Sequence, residues 1–301
     1  MLLQQSVRRS ATTLMSGIAK RNLGTLISTK ELATSLDAVK LLDGSWHMPN
    51  TNRDPYQEYI QQHIPGARFF GIDEIKDTTV DLPHMLPAPD AFAAAVGKLG
   101  ISEQDHVVVY DSVGLFSAPR VYWTFKAFGH ENVSVLNGGL PKWIKDGYPT
   151  ESVEPKFEPA TYKVPEINRN LVWDYDAVLG NARQQGKVAQ VLDARPQARF
   201  TGQVPEPRPG LSSGHMPGSI SLPFDKLIED GSLMDQEKLR QVFQSANVDL
   251  EKPIVASCGS GITASILYFA LEQIGAKNIA VYDGSWTEYA GKKDSIIIKD
   301  Q

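Results

Sequence analysis

The sequence predicts an α/β fold of two tandem domains, each a parallel sheet flanked by helices. The chain has 301 residues, about twice the ~150 residues typical of one domain. Short apolar runs alternate with amphipathic stretches in each half, which is the pattern of βαβ units around a parallel sheet. Several short segments also occur twice, once in each half. Together these observations indicate two copies of one α/β domain.

Four segments recur in the same order, at offsets of 146 to 152 residues. Repeats at one long interval indicate duplication of a whole domain, not the short units of a solenoid. The four pairs are Leu42-Asp43 with Leu192-Asp193, His63-Ile64-Pro65-Gly66-Ala67 with His215-Met216-Pro217-Gly218-Ser219, Val107-Val108-Val109-Tyr110 with Ile254-Val255-Ala256-Ser257, and Val135-Leu136-Asn137-Gly138-Gly139 with Val281-Tyr282-Asp283-Gly284-Ser285.

The clearest βαβ unit lies near the end of the chain. Residues 254–257 form a short apolar run that predicts a buried strand, and apolar residues follow at helical spacing over residues 262–274. Gly275 is a suitable helix end. The first half repeats this pattern after residues 107–110, where Pro119 suits a first helical turn. Each half therefore predicts a strand, a loop and a helix in the same order.

The predicted domains are residues 25–150 and residues 170–301. Residues 151–169 between them are rich in Glu and Pro and show little periodicity, which predicts a linker. The start of the chain is basic and rich in Ser and Thr, with no acidic residue before Glu31. This composition is typical of a mitochondrial transit peptide, so we interpret residues 1–24 as a targeting segment; the alternative is a disordered tail with accidental charge.

The composition limits the possible classes of function. The net charge is −5 and the isoelectric point about 5.7, so a nucleic-acid partner is not expected. No apolar run reaches the roughly 18 residues of a membrane span, so a membrane partner is not expected either. A chain with one cysteine forms no intramolecular disulfide and no cysteine-rich metal site, and we expect no metal.

The only cysteine, Cys258, stands in the segment Cys258-Gly259-Ser260-Gly261-Ile262-Thr263-Ala264, between the predicted strand and helix. Ligands of parallel α/β sheets bind outside the carboxyl ends of the strands. The two glycines allow the loop to turn its N–H groups inward, and the helix start adds partial positive charge. Both features stabilise a thiolate, which is the nucleophilic form of cysteine. The context predicts a catalytic cysteine.

Two alternative roles for the cysteine, a buried structural residue and a phosphatase nucleophile, are less consistent with the sequence. A lone cysteine is more commonly a small buried apolar residue, but the strand, Cys-Gly-x-Gly and helix context favours catalysis. A cysteine phosphatase needs an arginine six positions after its cysteine to bind phosphate, and Ala264 stands there. Sulfur transfer needs only amides that stabilise a thiolate and then a persulfide anion. Phosphatase chemistry is therefore the weaker alternative.

With these motifs, residues 25–290 resemble the rhodanese superfamily, and closely its 3-mercaptopyruvate sulfurtransferase branch. The resemblance implies two rhodanese-like domains, of which only the second carries the catalytic cysteine. Asp111 stands at the equivalent position of the first domain, which the resemblance marks as non-catalytic. Relatives that use thiosulfate carry basic residues after the cysteine, whereas Gly259 and Ser260 are neutral here. The loop therefore resembles the mercaptopyruvate branch.

The resemblance also assigns site residues. It implies a catalytic relay of Ser260, His84 and Asp73 beside Cys258, assembled across the two domains; such a relay fixes an imidazole tautomer and moves a proton. It implies that Arg199 and Arg208 bind the substrate, and guanidinium groups are well suited to the carboxylate of a 2-oxo acid. The remaining residues implied to bind substrate are those of the cysteine loop: Gly259, Gly261, Ile262 and Thr263.

The implied function is transfer of sulfur from 3-mercaptopyruvate, through a Cys258 persulfide, to an acceptor. Pyruvate would be released, and the acceptor would be thioredoxin, another thiol or cyanide. The resemblance implies no metal or organic cofactor. The alternatives are a thiosulfate sulfurtransferase and a non-catalytic rhodanese-like module for binding or sulfur relay. The expected location is mitochondrial, with a cytoplasmic fraction left open.

Overall fold

The computed structural model describes residues 23–300, which form two five-stranded parallel sheets with helices packed against them. The prediction of an α/β fold is confirmed. The interpretation of residues 1–24 as a targeting segment falls almost entirely on residues outside the described part. Within residues 23–300, no helix combines the length and the apolar character needed to cross a bilayer.

The first sheet has the strand order β1-β5-β4-β2-β3, and all its neighbouring strands are parallel. Its elements are β1 (Leu26–Ile27), α1 (Thr29–Ala33), β2 (Lys40–Asp43), α2 (Pro55–Gln61), β3 (Arg68–Phe69), α3 (Pro89–Lys98), β4 (Val107–Tyr110), α4 (Ala118–Ala127), β5 (Val133–Leu136) and α5 (Gly139–Lys145), with short 3₁₀ turns at Leu36–Ala38 and Pro49–Thr51.

The second sheet has the order β6-β12-β11-β7-β8, which is the first order with each strand replaced by its counterpart. Its elements are β6 (Val172–Trp173), α6 (Tyr175–Arg183), β7 (Gln190–Asp193), α7 (Gln197–Phe200), β8 (Ile220–Ser221), β9 (Ile228–Glu229), β10 (Ser232–Leu233), α8 (Gln236–Ser245), β11 (Ile254–Ser257), α9 (Ala264–Gln273), β12 (Ile279–Tyr282) and α10 (Ser285–Gly291), with 3₁₀ turns at Arg169–Leu171 and Phe224–Leu227. Strands β9 and β10 pair as a small antiparallel hairpin.

The predicted strand and helix near the end of the chain are present as β11 and α9. Every residue of β11 is buried, as expected for a central strand covered on both faces. Helix α9 begins at Ala264, two residues after Ile262, and Gly261, with a positive φ of 86°, forms the turn before it. Gly275, with φ of 87°, lies just beyond its end. In the first half, Pro119 lies in the first turn of α4 as predicted.

Residues 152–168 contain no helix or strand. This segment lies along the first sheet's helices, because Ala160 N donates a hydrogen bond to Gly97 O at 2.8 Å and Asn168 N donates one to Ala127 O at 2.8 Å. A methyl group at Gly97 would lie 2.7 Å from Ala160 O. The connection therefore follows a fixed path over α3 and α4.

The two halves meet along α4 and α9, the helices that follow the two central strands. The rings of Tyr122 and Phe269 make an edge-to-face contact at 4.8 Å, and the Tyr122 hydroxyl donates a 2.5 Å hydrogen bond to Glu272. One apolar core cluster continues from the first half into the second. Packing of this extent fixes the carboxyl ends of β4 and β11 relative to each other.

The halves also exchange a reciprocal pair of hydrogen bonds. Leu86 N, in the first half, donates to Asp283 Oδ2 at 2.8 Å, just after β12. Leu233 N, in β10 of the second half, donates to Asn137 Oδ1 at 2.8 Å, just after β5. Asn137 and Asp283 occupy matching positions of the sequence repeat, so the two halves are related by an approximate twofold rotation. Each half therefore covers the strand ends of the other.

Candidate active site

Cys258 lies at the carboxyl end of β11 and is only 2% exposed. Gly261 N–H points to its sulfur, at 3.1 Å from Sγ. The positive φ of Gly261 turns this amide inward, as the Cys-Gly-x-Gly pattern predicts. The backbone of Cys258 is fixed by two further bonds, from its N–H to Ser285 Oγ at 3.2 Å and from Trp286 N to its carbonyl at 2.9 Å. The loop is therefore rigidly held around the thiol.

The other residues of the cysteine loop differ in their surroundings. Gly259 O accepts hydrogen bonds from Thr287 N at 3.0 Å and from Thr287 Oγ1 at 2.6 Å. Ile262 is 2% exposed and packs in the core, whereas Thr263 is partly exposed just before α9. Ser260 is buried, and within the described residues no hydrogen bond joins its hydroxyl to the imidazole of His84.

Asp111 has the position in the first half that Cys258 has in the second, directly after the central strand β4. Its carboxylate is fully buried and accepts hydrogen bonds from five backbone N–H groups of the loop that follows. The donors are Val113 at 3.0 Å and Gly114 at 2.9 Å on Oδ1, and Phe116 at 2.8 Å, Ser117 at 2.9 Å and Ala118 at 2.9 Å on Oδ2. A loop of this kind, at the start of a helix, is thus an anion-binding site occupied by the chain's own carboxylate.

His84 and Asp73 are in direct contact, with Nδ1 lying 2.9 Å from Oδ1. The indole Nε1 of Trp46 donates to the other carboxylate oxygen at 2.8 Å, and the Trp46 ring meets the imidazole edge-on at 4.8 Å. Burial lowers the pKa of His84 more than Asp73 raises it. Burial opposes ionisation of Asp73, but His84, Trp46 and Lys76 together lower its pKa. A neutral His84 facing Asp73 carries its proton on Nδ1, which leaves Nε2 as an acceptor.

Arg120 brings the first half into contact with the cysteine loop. It is 2% exposed on α4, and its Nη2 donates to the carbonyl of His84 and, at 2.7 Å, to Asp283. A methyl group at Gly261 would lie 2.6 Å from Nη1 of Arg120. The segment that carries His84 and the loop that carries Cys258 are therefore both neighbours of one guanidinium group.

Arg199 lies in helix α7, and Arg208 lies eight residues after the end of that helix, in the loop that follows. Nη1 of Arg199 is 3.4 Å from Glu206, and its side chain is 19% exposed. Nη1 of Arg208 lies 3.2 Å from Thr287 Oγ1, and a methyl group at Gly259 would lie 3.9 Å from the same nitrogen. Arg208 is thus placed beside the cysteine loop.

Arg195 is fully enclosed, as expected for a structural arginine. It pairs with Asp193 and with Glu206, donates to Gly214 O, and lies 4.0 Å from the centre of the Trp286 ring. Glu206 therefore contacts both Arg195 and Arg199. This shared carboxylate links Arg199 to the buried Arg195.

The sequence analysis missed four residues that organise the site: Arg120, Asp283, Glu206 and Thr287. One signal was available for Arg120, because it is the only arginine on a helix that is otherwise mostly apolar. Another was available for Asp283, because it introduces a charge where its repeat partner Asn137 is neutral. Among residues 23–300, no group of three or more His, Cys, Asp or Glu side chains is arranged to hold a metal ion.

The family model described as a rhodanese-like domain matches this chain twice, over residues 28–146 and residues 177–292. The chain belongs to the rhodanese family. Thiosulfate sulfurtransferase of Rattus norvegicus is 46% identical over 274 residues, which span 88% of this rhodanese and 91% of the relative. Thiosulfate/3-mercaptopyruvate sulfurtransferase 1, mitochondrial, of Arabidopsis thaliana is 42% identical over 89% of this chain and 78% of its own length.

A solved structure of the same fold also resembles this chain. The crystal structure of SseA from Escherichia coli, described with the rhodanese fold and mechanism of 3-mercaptopyruvate sulfotransferases, superposes with a TM-score of 0.78 at 37% identity. The match covers 88% of this rhodanese and 99% of that chain. The prediction of two rhodanese-like domains is therefore confirmed.

Proposed function

We propose that this rhodanese is a sulfurtransferase that takes sulfur from 3-mercaptopyruvate onto Cys258 and passes it to a thiol. One observation carries the proposal: Gly261 N–H points to Sγ of Cys258, in a loop whose counterpart binds a carboxylate with five amides. The loop is suited to hold an anionic sulfur. Relatives named as mercaptopyruvate and thiosulfate sulfurtransferases support the same chemistry.

The Asp111 carboxylate indicates where the persulfide would lie. Its oxygens stand one bond beyond Cγ, as the outer sulfur of a persulfide stands one bond beyond Sγ. The amides that bind Asp111 have counterparts in the loop after Cys258, which is offset by 147 residues. We therefore propose that amides of this loop, including those of Gly261 and Thr263, hold the outer sulfur of the persulfide.

The proposed step is balanced in atoms and charge. The Cys258 thiolate attacks the sulfur of 3-mercaptopyruvate, the carbon–sulfur bond breaks, and the electron pair leaves on the carbon as the pyruvate enolate. The substrate's S–H proton is lost and the methyl carbon of pyruvate gains one, so net proton transfer runs from sulfur to carbon. We propose that His84, through its open Nε2, and Ser260 carry this proton, and that Asp73 keeps the tautomer.

The substrate end of the site is cationic. We propose that Arg199 and Arg208 bind the carboxylate and keto group of the 2-oxo acid, since Arg208 lies beside the cysteine loop, Arg199 is held by Glu206 two residues before Arg208 in the chain, and guanidinium groups bind carboxylates strongly. Gly259, Gly261, Ile262 and Thr263 would form the wall beside the reacting sulfur. The persulfide then loses its outer sulfur to a thiol, and we propose thioredoxin as one such acceptor.

Thiosulfate is the second candidate substrate. The rat relative is named for it, and Arg120 places a cation at the loop although Gly259 and Ser260 are neutral. We favour mercaptopyruvate because the direct neighbours of Cys258 in the chain supply no charge for a dianion.

We also propose residues 25–150 as the non-catalytic domain, 151–169 as the linker and 170–301 as the catalytic domain.

We further propose that the protein is imported into mitochondria through residues 1–24. The support is the basic, acid-free start of the sequence and the word mitochondrial in the name of the Arabidopsis relative. Fusing residues 1–30 to a fluorescent protein tests this proposal by microscopy, with Arg8 and Arg9 changed to Glu as the control.

The experiment for the main proposal is a turnover assay with 3-mercaptopyruvate, thiosulfate and an aryl phosphate, run side by side with Cys258→Ser. We expect turnover of mercaptopyruvate above thiosulfate, none with the phosphate, and none in the variant. Intact-protein mass should rise by about 32 Da on treatment with donor and return on reduction. A variant that keeps substantial activity would refute the persulfide mechanism, and no turnover by the wild type would favour a binding module.

A further inference from the structure

The Arg120–Asp283 pair joins the two halves in a buried part of the site. The side chains are 2% and 5% exposed, and Nη2 of Arg120 lies 2.7 Å from Oδ1 of Asp283. The guanidinium also lies 4.6 Å from the centre of the Trp123 ring. Removing one member of such a pair leaves an uncompensated buried charge, so the two residues depend on each other.

The pair holds both ends of the segment that carries His84. Arg120 donates to the carbonyl of His84, and Asp283 Oδ2 accepts the N–H of Leu86 at 2.8 Å. His84 has a φ of 60°, in the left-handed region that non-glycine residues seldom occupy. A residue in such a conformation persists only where surrounding contacts hold it. The two bonds from Arg120 and Asp283 are contacts of this kind.

Arg120 also has a donor without a partner. Its Nη1 is buried and makes no hydrogen bond among the described residues, and it is the atom that a methyl group at Gly261 would approach to 2.6 Å. Buried donors are nearly always paired, so an unpaired one in the middle of a site calls for an explanation. A cation at this position stabilises negative charge that forms on the sulfur.

We propose that the Arg120–Asp283 pair positions His84 relative to Cys258, and that Arg120 gives the cysteine loop the positive charge that its own residues lack. The inference rests on the proposed function of the site, and it deepens that function by assigning the placement of the His84 segment to one ion pair. Arg120 is a positioning residue, because its side chain acts through His84 and through the field at the loop.

The test combines turnover with a measurement that needs no sulfur donor. Arg120→Met removes the charge at similar length, Arg120→Lys keeps the charge without the fork, and Asp283→Asn keeps an acceptor for Leu86 N without the charge. Tyr122→Phe is the matched control, since it removes another hydrogen bond between the halves from the same helix. The second measurement is the pH at which a neutral reagent alkylates Cys258 at half its maximal rate.

We expect Arg120→Met to lower kcat by about ten- to a hundred-fold with KM changed less than about threefold. The half-maximal pH of alkylation should rise by about one unit, because one nearby charge is lost. Arg120→Lys should keep most of the alkylation behaviour but not kcat. Asp283→Asn should lower kcat without raising the alkylation pH. Tyr122→Phe should change neither kcat nor the half-maximal pH of alkylation.

The charged and titratable groups near the cysteine loop are Arg120, Asp283, Arg208 and the His84–Asp73 pair.

A double variant separates positioning from a general loss of structure. If Arg120 and Asp283 act through His84, Asp283→Asn should slow turnover little further in a His84→Asn background. Independent, multiplicative losses, or an Arg120→Met enzyme as fast as Tyr122→Phe, would overturn the positioning role. An unchanged alkylation pH would overturn the charge role. Alkylation uses no sulfur donor, so a failure of the proposed substrate leaves this part of the test intact. If Arg120→Met does not fold, Arg120→Lys and Asp283→Asn decide the question.

Discussion

His84 and Gly231 adopt one left-handed backbone conformation at equivalent positions of the two halves, with φ of 60° and 73°. Each lies two residues before a leucine, Leu86 or Leu233, whose N–H crosses to the opposite half. The conformation therefore belongs to the fold, and glycine is the residue that adopts it freely. A histidine at this position adopts a conformation that non-glycine residues seldom occupy, which is consistent with the proposed role of its imidazole.

His84→Gly should therefore lower kcat strongly and change the free energy of unfolding only modestly. We expect a loss of about 10²-fold or more in kcat, the size expected for a general acid–base group. Glycine relieves a left-handed backbone worth about 1–2 kcal/mol, which offsets part of the lost ring contact with Trp46. Steady-state kinetics and urea unfolding measure the two quantities. His84→Asn, which tolerates this backbone but is not a base, is the control and should be equally slow. Wild-type rates in either variant would exclude a proton-transfer role.

Arg199→Met and Arg208→Met should each lower kcat/KM for mercaptopyruvate. Losing one charge-assisted contact is worth about 1.5–3 kcal/mol, or roughly ten- to a hundred-fold. Alkylation of Cys258 by a neutral reagent should change little in Arg199→Met, whose arginine contacts Glu206 and not the loop. Arg183→Met, at an exposed position of α6, controls for the change in net charge. If both variants lost the alkylation rate of Cys258 to the same extent as kcat/KM, the arginines would have to be assigned to stabilising the thiolate or the fold.

Adding charge to the loop should change substrate preference. Gly259→Arg with Ser260→Lys supplies two cations, and we expect the ratio of kcat/KM values to shift toward thiosulfate by about tenfold or more, about 1.4 kcal/mol. The backbone accepts a side chain at Gly259, where an added Cβ would come no closer than 3.9 Å to Arg208 Nη1. Gly259→Ala with Ser260→Ala removes the same Ser260 hydroxyl but adds no charge, so it should shift the ratio less than the charged variant does, and the difference between the two variants measures the effect of charge. An unchanged ratio in the charged variant would show that loop charge does not select the substrate.

Stability should fall as the pH rises through the range where Asp43 is protonated only in the folded state. Burial raises the pKa of Asp43 to about 7 from its usual 3.8. Between those values the folded state holds a proton that the unfolded state has released, so the free energy of unfolding falls with rising pH, by on the order of a few kcal/mol. Asp43→Asn should flatten this decline in urea unfolding between about pH 4.5 and 8.

The exposed Asp37 gives the control for the Asp43 experiment. Asp37→Asn makes the same change in net charge outside the core, and its pH dependence should follow the wild type. If Asp43→Asn and the wild type lost stability in parallel over this range, the titration would have to be assigned to another group.

The two central strands and the cysteine loop could be predicted from the sequence, because the patterns that indicate them are local. The buried run 254–257 and the glycines after Cys258 are neighbours in the chain, and their pattern follows from backbone sterics. The interface could not be predicted in this way. Arg120 meets His84 from 36 residues away and Asp283 from 163 residues away, so only the packing of α4 against α9 brings them together. The contact of His84 with Asp73 was inferred from resemblance, not from spacing.

The five amides on Asp111 make the first loop complete as soon as the chain has folded. In the second loop, the thiol of Cys258 receives one amide bond, from Gly261, and in the proposed mechanism a persulfide anion would be bound by further amides of the loop. In the first half the anion-binding loop is occupied by the chain's own Asp111 carboxylate, whereas in the second half the equivalent loop can bind the proposed persulfide. Sulfur loading should therefore act on the second half as a ligand does, protecting its loop amides from hydrogen exchange while those around Asp111 stay unchanged.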